Sequence, residues 1–379
     1  MPLASTRAWQ PRARCRRYAV AVLAAWLAGC AGDPGSRVVE RTPERIQSDI
    51  EALMPAGVPQ RAAWAVDLQL VFAGLKIEPS TPHVCAVLAV TEQESGFSAD
   101  PAVPGLAAIA RAEILRRAAR AAVPEMAVNL ALQMRGPDGR SYDERLDAVK
   151  TERELSLMYE DFIAEVPLGQ RLFADWNPVR TGGPMQVRVD FAQSHVRTRP
   201  YPFPAQDSIR HDVFTRRGGL YFGTAHLLDY AAPAYGGEMV YRFADFNAGR
   251  HASRNAAFQQ ALSVASGRKL DLDGDLIAGG ATGPGQTESA ALGLAAALAM
   301  SEREIRRELE RGDSAEFDRS PLLERVHALA ERRSGRAQPR ALIPRIVLQS
   351  PKITRHLTTE WFARRVEERY RRCLHRGAG

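Results

Sequence analysis

The amino-acid sequence predicts a mainly α-helical protein, and three observations carry that prediction. Helix-start chemistry recurs along it. Thr42-Pro43-Glu44 supplies an N-cap, a proline at the first helical position and an acid in the first turn; Ser80-Thr81-Pro82 and Ser141-Tyr142-Asp143 repeat the pattern, and Ser301-Glu302-Arg303-Glu304 spells a capping box. Apolar residues between these starts return at helical spacing, as in Ile114, Ala118 and Ala121 and in Leu322, Val326 and Leu329. Sustained period-two alternation is scarce, with Met185-Gln186-Val187-Arg188-Val189 the short strand candidate. The length of 379 residues, 45% apolar and 25% charged, fits one large or two modest globular domains. It excludes collagen, coiled coil, mucin-like stalks and wholesale disorder.

The first thirty residues read as an address. Arg7, Arg12, Arg14, Arg16 and Arg17 precede an apolar run, Tyr18 to Ala28, with no acid before Asp33. Eleven residues are too few for a spanning helix, which needs about 20. A basic start, a short apolar stretch and small residues at its end make residues 1–29 a secretory signal. Leu27-Ala28-Gly29-Cys30 resembles the lipobox of bacterial lipoproteins, which implies that Cys30 becomes the acylated first residue. Each buried acyl CH₂ contributes about 0.8 kcal/mol, so several chains on one residue make a stable anchor to a membrane. Ala31 stands where inner-membrane lipoproteins carry aspartate, so the resemblance implies the periplasmic face of the outer membrane. Without its leader the chain has 46 basic side chains, the total of 51 less those five, against 44 acidic ones. The formal charge of +7 therefore falls to +2, and no nucleic-acid partner is expected.

Beyond Cys30, residues 30–41 form a tether, 42–278 a helical body, and 286–379 a helical C-terminal region. Gly279 to Gly285 reads as the joint between the last two. Ala290 to Met300 reads as a buried helix, and the arginine-rich stretches at about 301–334 and 352–374 as solvated faces with interspersed acids. In an exported protein Cys85 and Cys373 meet oxidising conditions; a disulfide between them and two separate buried thiols both remain open.

Most standard catalytic patterns are absent, including H-E-x-x-H, paired CxxC, G-x-S-x-G and a P-loop. The eight histidines lack ligand spacing, so neither a metal nor another cofactor is expected. Asp271-Leu272-Asp273-Gly274-Asp275-Leu276 alternates carboxylates as calcium loops do, but Leu276 and Thr282 stand where such a loop places glycine and glutamate, and it reads as a capped turn.

Val84 to Phe97, VCAVLAVTEQESGF, is the sharp signal. A helix so apolar is normally buried, so its last turn delivers a carboxylate to the core's edge. Desolvation there disfavours the charged form, as a general acid near neutral pH requires. Glu92 and Glu94 lie about 200° apart around a helix, so one of them faces a given cleft.

Glu94-Ser95-Gly96-Phe97 resembles the E-S-G-F stretch of lytic murein transglycosylases of the soluble type, relatives of goose-type lysozyme. That family's G-L-M-Q and A-x-Y-N-A-G motifs have counterparts, in order, in Gly183-Pro184-Met185-Gln186 and Asp245-Phe246-Asn247-Ala248-Gly249. Gly218-Gly219-Leu220-Tyr221-Phe222-Gly223 followed by Leu227-Leu228-Asp229-Tyr230 resembles the family's helix before the third motif. The resemblance covers about 80–100 and 180–250, and implies a lysozyme-like helical core with a helical insertion at about 103–165 and a helical tail. The whole chain also resembles an uncharacterised family of bacterial lipoproteins built around such a core, which supplies no activity. Three departures stand out: about ninety residues separate Glu94 from Gln186, Pro184 replaces leucine, and Phe246 replaces tyrosine.

Glycosidases generally need two carboxylates, whereas the resemblance implies one. In the terms of that family, the resemblance implies that Glu94 protonates the oxygen between N-acetylmuramic acid and N-acetylglucosamine in peptidoglycan, then accepts the proton of the C6 hydroxyl that closes a 1,6-anhydro ring. An intramolecular attacker has an effective molarity of about 10⁵ M or more, so no activated water is needed. In the same terms Ser95, Met185, Gln186, Phe246 and Asn247 bind substrate, with Met185 and Phe246 as the floor; structural roles for them stay open. Two other readings remain: a catalytically inactive peptidoglycan-binding or envelope-scaffolding lipoprotein, and a hydrolase whose second acid is Glu92, Asp100 or Asp245.

Overall fold

The structure is a computed structural model that describes residues 41–166, 176–205, 207–277, 283–348 and 355–378. The expected leader, the lipidation candidate Cys30 and the tether up to residue 40 lie outside the described residues, as do Gly279 to Thr282 of the expected joint. From Pro43 onward the chain forms one compact unit. It is mainly α-helical, with seventeen α-helices and one two-stranded hairpin among the described residues.

The predicted starts are real. Ser80 Oγ accepts from His83 N, and both Ser141–Glu144 and Ser301–Glu304 form complete capping boxes. In order, the helices of the first half are α1 (Pro43–Leu53), α2 (Arg61–Leu75), α3 (Thr81–Ser95), α4 (Leu106–Arg120), α5 (Glu125–Leu132), α6 (Tyr142–Ala148) and α7 (Glu152–Glu165). Strands β1 (Thr181–Gly182) and β2 (Val187–Arg188) pair antiparallel, Thr181 opposite Arg188. Then come α8 (Val189–Thr198), α9 (Ile209–Val213), α10 (Arg216–Leu228), α11 (Met239–Ala248), α12 (Ala252–Ser266), α13 (Gln286–Leu292), α14 (Ala295–Leu298), α15 (Glu302–Leu309), α16 (Pro321–Ser334) and α17 (Thr359–Gly377).

Three apolar clusters organise them. The largest gathers α1, α2, β2, α8, α9, α10, α11 and α17 around α3, of which every residue from Val84 to Thr91 is buried. Burying Val84, Val87, Leu88 and Val90 contributes at most about 6–12 kcal/mol gross, which makes α3 a fixed post. A second cluster joins α12 to α13–α16. The third belongs to α4–α7, with Val179 and Phe214. That helical excursion is closed at its neck, where Val103 N donates to Lys150 O and Thr151 Oγ1 to Asp100 Oδ2.

Two segments differ from the sequence reading. Ala290 to Met300 is not one buried helix: it breaks at Gly293 into α13 and α14, where glycine is a poor helix former, and Ala296 and Ala297 are exposed while Leu294 and Leu298 carry the burial. The C-terminal region divides between two cores. Helices α13–α16 pack on α12, while α17 returns to the main core through Phe362, Ala363 and Val366 and is bonded to α3 by a Cys85–Cys373 disulfide spanning 288 positions.

Candidate functional site

The last turn of α3 is built to end abruptly. Ser95 Oγ donates back to Thr91 O, Gly96 takes a left-handed φ of 59° with its N–H on Glu92 O, and Phe97 follows at φ 64°. The Phe97 ring, nearly buried, meets Trp64 of α2 edge-on at 5.7 Å. These contacts hold the turn carrying Glu92 and Glu94, both half-buried. Glu92 faces α17, with Arg369 at 3.4 Å and Arg372 at 3.3 Å. Glu94, about 200° further round, points elsewhere.

Helices α3 and α17 run antiparallel, and two contacts fix their register. Cys85 is bonded to Cys373, and a Cβ built on Gly377 lies 3.0 Å from Thr81 Cγ2. Continued along both helices, that register sets Glu94 level with about Arg364. At 1.5 Å per residue this is roughly 7–8 Å along the axis from Thr359. Thr359 Oγ1 donates to Asn247 Oδ1 at 2.9 Å, at the end of α11. Glu94 and Asn247 thus come to the same end of the main core, although 153 positions apart in sequence.

The second motif is the hairpin turn between β1 and β2. Gly183 and Gln186 both have positive φ, and Gln186 Nε2 donates to Gly183 O at 3.3 Å. The turn sits directly on the glycine face of α10. A Cβ on Gly219 would lie 2.4 Å from Pro184 Cδ, and one on Gly223 2.7 Å from Met185 Cβ. This close approach requires glycine and explains the Gly-Gly-Leu-Tyr-Phe-Gly pattern. It also corrects the expectation for Met185: the side chain is fully buried against α10, so it belongs to the core and floors no cleft. Gln186 is half-buried and Asn247 exposed.

Phe246 is half-buried against His226 of α10, ring centroids 5.1 Å apart. Sequence reasoning missed this neighbourhood, since nothing in the spacing joins residues 191, 226, 246 and 250. His226 Nε2 lies 3.3 Å from Phe246 O, its ring meets Phe191 at 4.7 Å, and burial followed by the Arg250 charge pushes its pKa down to about 4. Arg250 covers Phe191 at 4.8 Å and donates to His226 O at 3.2 Å.

The second-acid candidates are otherwise engaged. Asp245 is buried and accepts from the Tyr230 and Tyr235 hydroxyls and from the His251 and Ser253 backbone N–H groups. Burial raises its pKa, while those donors oppose the rise. It ties α11 to the start of α12. Glu92 is paired with arginines, and Asp100, its pKa raised by burial, bonds Thr151 at the insertion neck. The Asp271–Leu276 loop is a capped turn: Asp273 Oδ1 accepts from Gln259 Nε2 and Asp275 N. Among the described residues no cluster of three or more His, Cys, Asp or Glu has metal-binding geometry, and no helix is long and apolar enough to cross a membrane.

Fold and site together define a disulfide-clasped helical protein in which one glutamate, a glycine-seated turn and an asparagine-ended helix are arranged around a single core. The chain belongs to the DUF1615 family, described as a protein of unknown function, which matches residues 57–376. It is 51% identical over 354 residues to "Uncharacterized protein YaiW" of Escherichia coli (strain K12), covering 92% of this chain and 95% of that relative. No solved structure matches it.

Proposed function

We propose that the protein is a lyase of peptidoglycan glycan strands, anchored through a lipidated Cys30 to the periplasmic face of the outer membrane, with Glu94 as acid and then base. The observation carrying this reading is the clasp of α3 by α17. It sets a half-buried carboxyl at the end of a helix buried from Val84 to Thr91, at the same end of the core as Asn247. The seating of the Gly183–Gln186 turn on α10 supports it, since α10 also packs on α3. The second N–H of the Gln186 amide and the Asn247 amide nitrogen are the groups offered for N-acetyl and hydroxyl contacts, with Phe246 as an apolar wall and Ser95 at the rim. No cofactor enters the reaction, and the two proton transfers need one carboxyl because the attacking hydroxyl belongs to the substrate.

A specific observation favours a second reading, in which the protein binds peptidoglycan or scaffolds the envelope without turnover. Gln186 and Asn247 already have internal partners, in Gly183 and Thr359, and Phe246 lacks the hydroxyl of the resembled motif. Digestion of purified sacculi separates the readings. Anhydro-muropeptides from wild type and none from Glu94→Gln support the lyase. Binding without product supports the scaffold, and products with free reducing ends support a hydrolase.

A further inference from the structure

The inserted helices form a half-open cavity that the glycan reading does not use. It has a volume of about 380 Å³ and lies between α4, α5 and α7, with walls that include Ile114, Val128, Ala131, Met158, Phe162 and Trp176. That volume is within the roughly 300–1,000 Å³ of small-molecule sites, whereas packed interiors hold few voids larger than a water. Its walls are almost wholly apolar. A sugar placed there would leave its hydroxyls unpaired, a cost that excludes glycan as the occupant.

The mouth has the opposite character. Arg117 and Trp176 line both this cavity and an adjoining cleft that also contains Arg120. Arg117 is fixed by Glu113 at 2.6 Å and by Trp176 O at 2.8 Å. Arg120 is exposed and makes no ion pair with a described residue. Arg116 and Arg117 share the one carboxylate of Glu113, while Arg117 and Arg120 both line the cleft at the mouth. The outer wall is unusual as well. Helix α5 turns Val128 and Leu132 inward, yet its outward Met126 and Leu130 are 82% and 73% exposed. Apart from the polar stripe of Glu125 and Asn129 the helix is apolar, exposed large apolar side chains mark interaction surfaces, and methionine-bearing surfaces adapt to flexible apolar ligands.

We propose that this cavity is a binding site for a single acyl chain, with the anionic head group of the same molecule held at Arg117 and Arg120. The chain needs no hydrogen bonds from the walls, and the head group meets the arginine excess at the mouth. The site stands apart from Glu94 and does not depend on the glycan reading.

The test uses the purified protein in detergent-free buffer, with cis-parinaric acid as the fluorescent probe, its methyl ester as the uncharged control, and circular dichroism to check folding. Saturable binding is expected for the acid and several-fold weaker binding for the ester. Ala131→Trp, which fills the chamber, should weaken binding roughly tenfold or more, and Arg120→Glu, on the surface, should weaken it several-fold. Should Ala131→Trp fail to fold, Arg120→Glu and the ester carry the test. No saturable binding, undiminished binding by a folded Ala131→Trp, or equal binding of acid and ester with no effect of Arg120→Glu would each overturn the proposal. Vesicles of phosphatidylcholine with phosphatidylglycerol then identify the source of the chain. Co-sedimentation abolished by Ala131→Trp assigns it to a membrane lipid; parinarate binding without co-sedimentation assigns it to a free fatty acid. Co-sedimentation that ignores the filled chamber, with no parinarate bound, reduces the patch to surface adhesion and refutes the site.

Discussion

Opening the Cys85–Cys373 disulfide should loosen the post that carries Glu94. The bond closes a loop spanning 288 positions. The chain-entropy expression for a loop that long gives about 5–6 kcal/mol as a ceiling, and disulfides in practice contribute about 2–4 kcal/mol. The described unit has more than three hundred residues, so its unfolding entropy is on the order of 0.7 kcal/mol per degree, and the loss corresponds to roughly 3–6 °C in midpoint. Helix α17 keeps its apolar anchors Phe362, Ala363 and Val366, so the native fold should survive reduction. The assay is thermal unfolding of wild type with and without reductant beside the Cys85→Ala/Cys373→Ala double variant, with thiol labelling to verify the redox state. Both perturbations should lower the midpoint by the same amount, and reductant should not affect the double variant. A fully reduced protein melting within about 1 °C of the oxidised one would refute the view that this bond secures α3 to α17.

Acidification should destabilise the fold. Burial, the largest cause for each, pushes the pKa of His226 and His327 down to about 4 and that of His251 to about 3. In the unfolded chain each titrates near 6.5, so between about pH 6.5 and 4 the unfolded state binds more protons, and stability falls by up to about 1.4 kcal/mol per pH unit for each histidine. Asp245, Asp100, Asp275 and Asp318 act in the opposite sense, since raised pKa values make the folded carboxyls easier to protonate as pH falls, while the lowered pKa of His195 adds to the histidine effect; because the unfolded histidines take up their protons within this window, the urea midpoint should drop between pH 7 and pH 5, and a constant or rising midpoint would contradict the assignment. Arg254, 2% exposed, donates to Asp318, Asn255 and the Gly312 and Ser314 carbonyls, so Arg254→Ala should cost about 3–5 kcal/mol in denaturant unfolding. Gly223→Ala gains about 1 kcal/mol of helix propensity but drives a methyl into Met185, costing about 1–3 kcal/mol. The variant should be destabilised overall, and a second substitution, Met185→Ala, should show favourable coupling in a double-mutant cycle.

Local chemistry made the helices legible in the sequence. The caps at Ser80, Ser141 and Ser301 lie where Ser-Thr-Pro, Ser-Tyr-Asp and Ser-x-x-Glu place them, because capping involves residues within one turn. The burial of Val84–Thr91 was legible from apolarity alone. The destination of α17 was not: its arginine-rich face signalled solvent, and only the fold shows that Phe362, Val366 and Cys373 form a seam reaching back to α3. Met185 illustrates a limit of motif reading, since four letters do not say whether a turn's side chain faces a cleft or, as here, the glycines of a neighbouring helix. The Phe246–His226–Arg250 cluster and the cavity of the inserted helices are long-range assemblies with no periodic signature.

The most direct measurement is digestion of purified sacculi in H₂¹⁸O, followed by mass spectrometry of the released muropeptides. A glutamate that transfers a proton to the glycan oxygen and lets the sugar's own hydroxyl close the ring yields anhydro products free of ¹⁸O at the cleavage site, and Glu94→Gln yields none. Incorporation of ¹⁸O at that site, or equal product from the Glu94→Gln protein, would contradict the role given to Glu94.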